Sequence, residues 1–405
     1  MLCQFIFKNF KSFRDETVFD MQAASIQEFE DGLLRSEKDK KAFLPVSAIY
    51  GANASGKSGV LEALNYLVTL VANPIMGVLN IKRPPFYMHA DTHPFAFNNT
   101  SNKAPTVFTL FYREKEHEFR YSVSEFGGNI VAESLHKRVV GGSRTALFFE
   151  RDEKGIKLGP SMKKKSINTN INSQMPYLSF LAFTYDIPYI KLATRFFKGV
   201  FICSPDIVRI FADQSDIEIK KKILSCMREI DIPVSDYQIE KIGKDENSQY
   251  HITVIHNVGV IEYPLDISQE SQGTQKLFAL LGFVMDVLSH GQILAVDELD
   301  SSLHPKLMRY LIKLFKSKKN NLNGAQLIFT THDVAIMRND VFRRDEIWFA
   351  SKAEDSASEI YSLYDIHDTD GKRVRATEPF YKQYSEGRYG AEPYLINVDD
   401  ANGGE

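Results

Sequence analysis

The segment Gly51-Ala-Asn-Ala-Ser-Gly56-Lys57-Ser58 constrains the fold of this chain more than any other part of its sequence. It follows a short apolar run, Val46–Tyr50, that has the character of a strand. After it, leucines and valines recur at helical spacing up to about Val71. Such a loop between a strand and a helix binds phosphate, because its backbone N–H groups turn inward and the helix adds its positive end. The sequence therefore predicts a P-loop.

The P-loop predicts a nucleotide site. Lys57 is expected to reach the β- and γ-phosphates, and Ser58 is expected to hold Mg²⁺. The other expected nucleotide contacts come from Gly51, Asn53, Ala54, Ser55 and Gly56. The alternative interpretation is a glycine-rich turn that matches the pattern by chance, and the flanking strand and helix disfavour it.

A second site is predicted where the apolar run Ile293–Val296 ends in Asp297 and Glu298. A continuous hydrophobic run is typical of a buried parallel strand, and ligands of such sheets gather at the carboxyl ends of the strands. We expect Asp297 to support Mg²⁺ through water, and Glu298 to orient the water that attacks the γ-phosphate. A strand that ends in a solvated acidic turn is the alternative, which a P-loop in the same chain disfavours.

Three further segments, taken with these two, resemble the motifs of ABC-type ATPases. Residues 270–275 (ESQGTQ) resemble the signature motif, residues 300–305 (DSSLHP) the D-loop, and residues 330–333 (TTHD) the switch-histidine segment. The order of the motifs is more specific than any one of them. The resemblance implies an α/β fold of the P-loop NTPase class. In this fold an ABC-type ATPase head has a mixed sheet with flanking helices, and ATP and Mg²⁺ are its cofactors.

The same resemblance implies that the signature reaches a nucleotide held by a second copy of the chain. Ser271 and Gly273, followed by Thr274, would donate to the γ-phosphate across the interface, and His332 would sense that phosphate. Asp300 and Ser301 would form the D-loop. Glu270 and Thr274 stand where the commoner form, LSGGQ, has Leu and Gly. Plain alternatives are a core histidine at position 332 and a simple helix cap at 271–274.

Other segments resemble particular branches of these ATPases. Residues 8–13 (KNFKSF) resemble the opening of RecF, SMC and Rad50 heads, and residues 343–349 and 381–390 are similar to the RloA and AbiL-type ATPases of abortive-infection systems. AriA of the PARIS system and PtuA of Septu look like more distant relatives. This resemblance implies at least a homodimer that controls a separate effector, RloB-like or of a Toprim or nuclease type. DNA or a phage protein would be its trigger.

The interval between the P-loop and the signature predicts an insertion. It is larger than in a compact transporter ATPase and too short for SMC-type arms. We expect the head to comprise 1–90 and 255–350, the insertion 91–254, and a C-terminal extension packed on the head 351–405. Within the insertion, 105–160 is expected to be β-rich and 177–231 helical, with β-hairpins formed at glycine turns.

Composition excludes several classes of protein. The net charge is −3, no run of 18 apolar residues exists, and the three cysteines form no zinc-binding spacing. We therefore expect a cytoplasmic protein without a membrane span. A RecF-like DNA-maintenance ATPase without a toxic effector stays open, as does an ATP-binding scaffold that hardly turns over. The lysine clusters 163–165, 220–222 and 316–319 are interpreted as solvated faces rather than a nucleic-acid surface.

The tail segments also have plain interpretations. Arg343 and Arg344 are read as a solvated charge pair beside a strand, and Tyr384, Arg388 and Tyr389 as residues that pack the tail on the head. No glutamine can be assigned to a Q-loop from the sequence.

Overall fold

The computed structural model describes residues 1–74, 93–163, 166–203, 217–242, 249–301, 303–368 and 371–392. The helices are α1 (Lys57–Ala72), α2 (Tyr177–Thr184), α3 (Pro188–Lys198), α4 (Ile217–Glu229), α5 (Gln272–His290), α6 (Pro305–Lys316) and α7 (Phe380–Ser385). The first ten strands are β1 (Leu2–Lys8), β2 (Thr17–Asp20), β3 (Leu34–Arg35), β4 (Ala42–Phe43), β5 (Val46–Tyr50), β6 (Thr106–Glu114), β7 (His117–Phe126), β8 (Asn129–Val139), β9 (Thr145–Asp152) and β10 (Gly155–Leu158). The other strands are β11 (Val200–Cys203), β12 (Val234–Ile242), β13 (Gln249–Val258), β14 (Ile261–Asp266), β15 (Ile293–Val296), β16 (Gln326–Thr330), β17 (Ile347–Lys352) and β18 (Ser358–Ser362).

A six-stranded sheet in the order β11-β15-β16-β5-β17-β18 forms the centre of the fold. The first five strands are parallel, and β18 is antiparallel to β17. Three of them, β5, β15 and β16, are buried along their whole length, which fits their largely apolar sequences. Because β15, β16 and β5 are adjacent and parallel, their carboxyl ends bring Asp297, Thr330 and the P-loop to one edge.

Successive side chains of the central strands face two different cores. Leu294 and Val296 of β15 pack into a core with α4, α5 and α6. Ile293 and Ala295 of the same strand face the other core, which holds α1, α2, α3 and the aromatic residues of β1 and β6. The mixed sheet is thus covered on both faces, and the fold class expected from the sequence is confirmed.

The second sheet has seven strands in the order β10-β9-β8-β7-β6-β1-β2. It is antiparallel throughout, and hairpin turns at Gly127-Gly128 and Gly155 join its strands with positive φ angles. The predicted β-hairpins are present, but they extend the N-terminal strands β1 and β2 in one sheet. A third sheet, β12-β13-β14, precedes α5.

The prediction of a helical block at 177–231 is wrong in its middle. Residues 200–203 form β11, which pairs in parallel with β15 at the edge of the central sheet. The strand escaped notice because it is only four residues long and directly follows the apolar face of α3. Strand β18, within the expected C-terminal extension, also belongs to the central sheet. The sheets thus cross the expected boundaries at 254 and 350.

None of the helices that the structure describes is long and apolar enough to cross a membrane.

Candidate nucleotide-binding site

The P-loop takes the backbone shape that its glycines permit. Gly51 has φ +150° and Gly56 has φ +108°, a conformation that residues with a side chain rarely adopt. A Cβ atom at Gly51 would lie 2.3 Å from the Ala350 carbonyl oxygen of β17. One at Gly56 would lie 2.7 Å from the Ser358 hydroxyl and 3.1 Å from the Phe13 ring. The loop is therefore held between β17, β18 and the N-terminal segment, with no room for larger residues.

Lys57 is the first residue of α1, and its ammonium group folds back over the loop. Nζ donates hydrogen bonds to the carbonyl oxygens of Gly51 at 2.9 Å and Ala52 at 2.8 Å. Burial lowers the pKa of Lys57 to about 8, while Asp297 and Glu298 act in the opposite direction. The ammonium group lies where phosphate oxygens of a nucleotide in the loop could replace those carbonyls.

Asp297 connects the P-loop to the neighbouring strand β16. Its Oδ1 atom accepts a hydrogen bond from Ser58 Oγ at 2.9 Å and another from Thr330 Oγ1 at 2.6 Å. Both contacts join residues far apart in sequence. They form because β15, β16 and β5 are adjacent parallel strands, so the residues that follow them meet at one edge of the sheet. The structure thus brings together the two residues expected to hold Mg²⁺.

Glu298 lies next to this network in a strained backbone conformation. Its φ is +50°, in the left-handed region that glutamate rarely adopts. The Glu298 N–H donates to Thr330 Oγ1 at 2.8 Å, and this bond fixes the turn at the end of β15. The side chain is exposed, so its carboxylate is available to a molecule bound beside the P-loop. Such strain is common in active sites.

A cleft of 290 Å³ opens over the P-loop. Its lining includes the predicted residues Asn53, Ala54, Gly56, Lys57, Ser58, Glu298 and His332. Lys11, Ser12 and Glu62 also line it, although their part in the site was not predicted from the sequence; Lys11 pairs with Glu62 at 2.8 Å. The sequence signal for this part of the cleft is Lys11, a basic residue within the segment 8–13 that resembles the opening of RecF, SMC and Rad50 heads.

The D-loop and the switch histidine contact one another. The His332 backbone N–H donates to Asp300 Oδ2 at 3.1 Å, and the Ser301 N–H donates to the Glu298 carbonyl at 2.8 Å. The His332 side chain is exposed at the cleft. Asp300 Oδ1 is buried and accepts no hydrogen bond within the described part of the chain. A core histidine, the plain alternative for position 332, does not fit an exposed ring.

The signature residues lie at the start of α5, away from this cleft. Ser271 is the N-cap of α5, where its Oγ accepts the Thr274 N–H at 3.1 Å. Ser271 is exposed, and Glu270 binds His256 Nε2 at 2.6 Å. No residue of α5 is among the described residues that line the P-loop cleft. The structure therefore does not bring Ser271, Gly273 or Thr274 to the nucleotide site of their own chain.

The residues present fit ATP and Mg²⁺ by their chemistry. The Ser58 hydroxyl and the Asp297 carboxylate are hard oxygen donors of the kind that Mg²⁺ prefers. The glycine positions leave a cradle that a Cβ atom would fill, and α1 begins at the loop. The Ser55 hydroxyl, inside the loop, is buried without a partner among the described residues.

Several basic residues outside the cleft form ion pairs within the described part of the chain. Arg343, expected in solvent, is fully buried; it binds Asp345 and the carbonyls of Ala24 and Glu28, which fastens the segment after β2. The expectation that Arg343 is exposed to solvent is wrong. Its charge can be buried because Asp345, two residues further along the chain, pairs with it. In two of the lysine clusters, Lys220 pairs with Asp236 and Lys316 with Glu346. Lys164 and Lys165 lie outside the described residues.

A family model and a solved structure are similar to this chain. No curated protein matches the chain. A similar solved structure is the Smc head bound to the C-winged helix domain of ScpA, with 15% sequence identity, a TM-score of 0.44, and coverage of 89% of this chain and 97% of that one. A family model described as "AAA domain, putative AbiEii toxin, Type IV TA system" matches residues 46–338, well over half of the chain, including the P-loop and Asp297. The chain therefore belongs to this AAA-domain family.

Proposed function

We propose that the chain is the ATP-binding and ATP-hydrolysing subunit of a bacterial anti-phage, abortive-infection system. It dimerises around ATP and controls a separate effector protein, RloB-like or of a Toprim or nuclease type. The observation that carries the proposal is the hydrogen-bonded set of Ser58, Asp297, Thr330 and Glu298 beside the P-loop. The family description, which names a toxin and a TA system, supports the defence setting.

The proposed chemistry is in-line attack of water on the γ-phosphate. Lys57 binds the β- and γ-phosphates, and the exposed Glu298 carboxylate orients the attacking water and accepts its proton. Mg²⁺, held by Ser58 and supported by Asp297, would neutralise charge on the phosphate oxygens. His332, exposed at the same cleft, donates a hydrogen bond to the γ-phosphate and reports its presence to Asp300.

A second copy completes each site in this proposal. Ser271 and the Gly273 N–H, with Thr274 behind them, approach the γ-phosphate held by the partner. Two observations support this arrangement: Ser271 is exposed, and α5 does not line the cleft of its own chain within the described residues. ATP would then hold two heads together, and its hydrolysis would release them and change the state of the effector.

The experiment that tests the defence role combines genetics with turnover. The chain is expressed with the product of its neighbouring gene, and phage plating is compared for the natural chain and Lys57→Ala. We expect protection that requires both genes and Lys57. ATP turnover of the purified chain that duplex DNA stimulates, with no protection from phage and no effector partner, would favour the RecF-like alternative instead. The ion-paired lysines described above give that alternative little support.

A further inference from the structure

The C-terminal segment Phe380–Glu392, termed the strap, ends against the P-loop. It begins as α7 and then turns twice, at Gly387 with φ +78° and Gly390 with φ +73°. These turns direct the chain back to the loop, where the Ala391 carbonyl oxygen accepts the Ala52 N–H at 3.1 Å. Ala391 is buried, with 2% of its surface exposed. The strap therefore forms a backbone hydrogen bond with the second residue of the P-loop, and its own end of that bond is buried.

Aromatic side chains hold the strap in this position. The Tyr384 ring stacks on Phe349 of β17 at 5.5 Å, and Tyr389 lies 5.4 Å from the same ring. The Tyr384 hydroxyl donates to the Ala391 carbonyl at 3.0 Å, so this oxygen accepts two hydrogen bonds. The Tyr361 hydroxyl of β18 donates to the Tyr389 carbonyl at 2.6 Å. The Ala391 carbonyl is thus held in place by two tyrosine hydroxyls. Tyr384 bonds to it directly, and Tyr361 bonds to the backbone two residues earlier, at Tyr389.

The Ala52 carbonyl is bonded by two donors that are also expected to bind the phosphates of a nucleotide. It accepts Lys57 Nζ at 2.8 Å and the Ser55 N–H at 3.3 Å. When Lys57 turns to phosphate, the carbonyls of Gly51 and Ala52 lose its ammonium group. The bond from the Ala52 N–H to Ala391 uses no group that binds phosphate. It therefore stays in place and holds the start of the loop in both states.

We propose that the strap positions the P-loop through the Ala391 carbonyl, and that ATP and the docked strap stabilise one another. The coupling rests on the proposed ATP binding; the positioning of the loop does not. By thermodynamic linkage, whatever the docked strap adds to ATP affinity, bound ATP must add to docking of the strap. Tyr361 and Tyr384 act as positioning residues, since neither lines the nucleotide cleft.

The test removes single hydroxyl groups. Tyr384→Phe and Tyr361→Phe each delete a bond that fixes the strap and keep the ring. Tyr389→Phe is the matched control, because among the described residues its hydroxyl bonds only to Gln383 Oε1, at 2.6 Å, within the strap itself. ATP affinity, turnover, and hydrogen exchange of residues 51–56 and 380–392 are measured for the full chain.

Without nucleotide, the first two variants should exchange the amides of 51–56 about three- to tenfold faster than the control, the worth of one hydrogen bond. Their ATP dissociation constant should rise by about the same factor with kcat unchanged, because the loop binds ground state and transition state alike. In the natural chain, ATP should slow exchange of 380–392.

Equal loop exchange in all three variants would overturn the positioning of the loop. Unequal loop exchange with equal ATP affinity, or strap exchange that ATP leaves unchanged, would overturn the coupling. A natural chain that binds no ATP would refute the proposed function and the coupling together, while the loop exchange of the variants would still decide the positioning.

Discussion

Two parts of the molecule differ in how much of their geometry one chain supplies. The nucleotide corner comprises the P-loop with Asp297, Glu298 and Thr330, and the signature corner comprises residues 270–275 at the start of α5. At the nucleotide corner, Asp297 accepts hydrogen bonds from Ser58 and Thr330, and Thr330 accepts the Glu298 N–H. At the signature corner, Ser271 is exposed and its hydroxyl bonds within its own turn, to Thr274. The first corner is fixed by three strands of one sheet. The second is a helix end that lines no part of the P-loop cleft among the described residues, which is the basis for proposing that it acts on a nucleotide held by a partner.

The largest effect on ATP turnover is expected from a substitution of Glu298, whose carboxylate faces the cleft. Glu298→Gln should lower ATP turnover by about 10²–10⁴-fold, because the amide cannot accept the proton of the attacking water. ATP binding should change little, since Glu298 bonds to Thr330 through its backbone. Phosphate release measures turnover, and Glu153→Gln, in the exposed turn between β9 and β10, is the control. Unchanged turnover in Glu298→Gln would remove Glu298 from the mechanism.

A smaller loss of ATP turnover is expected when the Thr330 hydroxyl, which bonds to both Asp297 and Glu298, is removed. Thr330→Val keeps the shape of β16 but removes the bonds to Asp297 and to the Glu298 N–H. Turnover should fall by about 10–100-fold, as for other residues that orient metal-binding and catalytic groups. Thr194→Val is a matched control, because this buried hydroxyl bonds to carbonyls of α3. Equal turnover in both variants would show that Glu298 keeps its position without Thr330.

The smallest effect is a pH dependence of ATP affinity. The pKa of Lys57 is lowered to about 8 by burial, and contact with phosphate favours the charged ammonium, so this pKa rises in the complex. ATP binding then takes up a proton above pH 8. Affinity should be constant well below pH 8 and fall above it by at most about tenfold per pH unit.

Lys57→Arg provides the control for that dependence, since arginine stays charged over this range. Calorimetric titration from pH 6.5 to 9.5 should show a slope above about pH 8 in the natural chain and none in Lys57→Arg. Identical slopes in the two proteins would assign the dependence to another group.

The strands that carry the nucleotide corner were predictable because they are buried on both faces. The predicted bounds of β5 and β15 agree with the structure, since each is a short and largely apolar run that ends where the glycine loop or the two acids begin. Strand β8 lies inside the stretch 105–160 that was expected to be β-rich, but its sequence shows no regular alternation although it is eleven residues long. Its sequence places Glu133 in the core, where the carboxylate accepts the backbone N–H groups of Tyr177 and Leu178. A buried charge of this kind breaks the alternation that identifies strands.

The contacts between distant segments could not be read from the sequence. Thr330 was seen only as a neighbour of His332, because its role depends on the parallel pairing of β15 with β16. The bond between Ala52 and Ala391 joins residues more than three hundred positions apart. Patterns in sequence report local periodicity, whereas these contacts depend on the order of strands in the sheet.

The central claim is that each complete nucleotide site takes its signature from a second copy, and complementation tests it most directly. Lys57→Ala has a defective P-loop with an intact signature, and Ser271→Arg has the reverse. Ser225→Arg, an exposed serine on α4, replaces Ser271→Arg as the control for an added arginine and should be active alone. Each of the two defective chains alone should be inactive. Their mixture should regain ATP turnover, because a mixed dimer contains one complete site. A mixture that stays inactive, while the two chains still associate, would show that the signature acts within its own chain and would contradict the account.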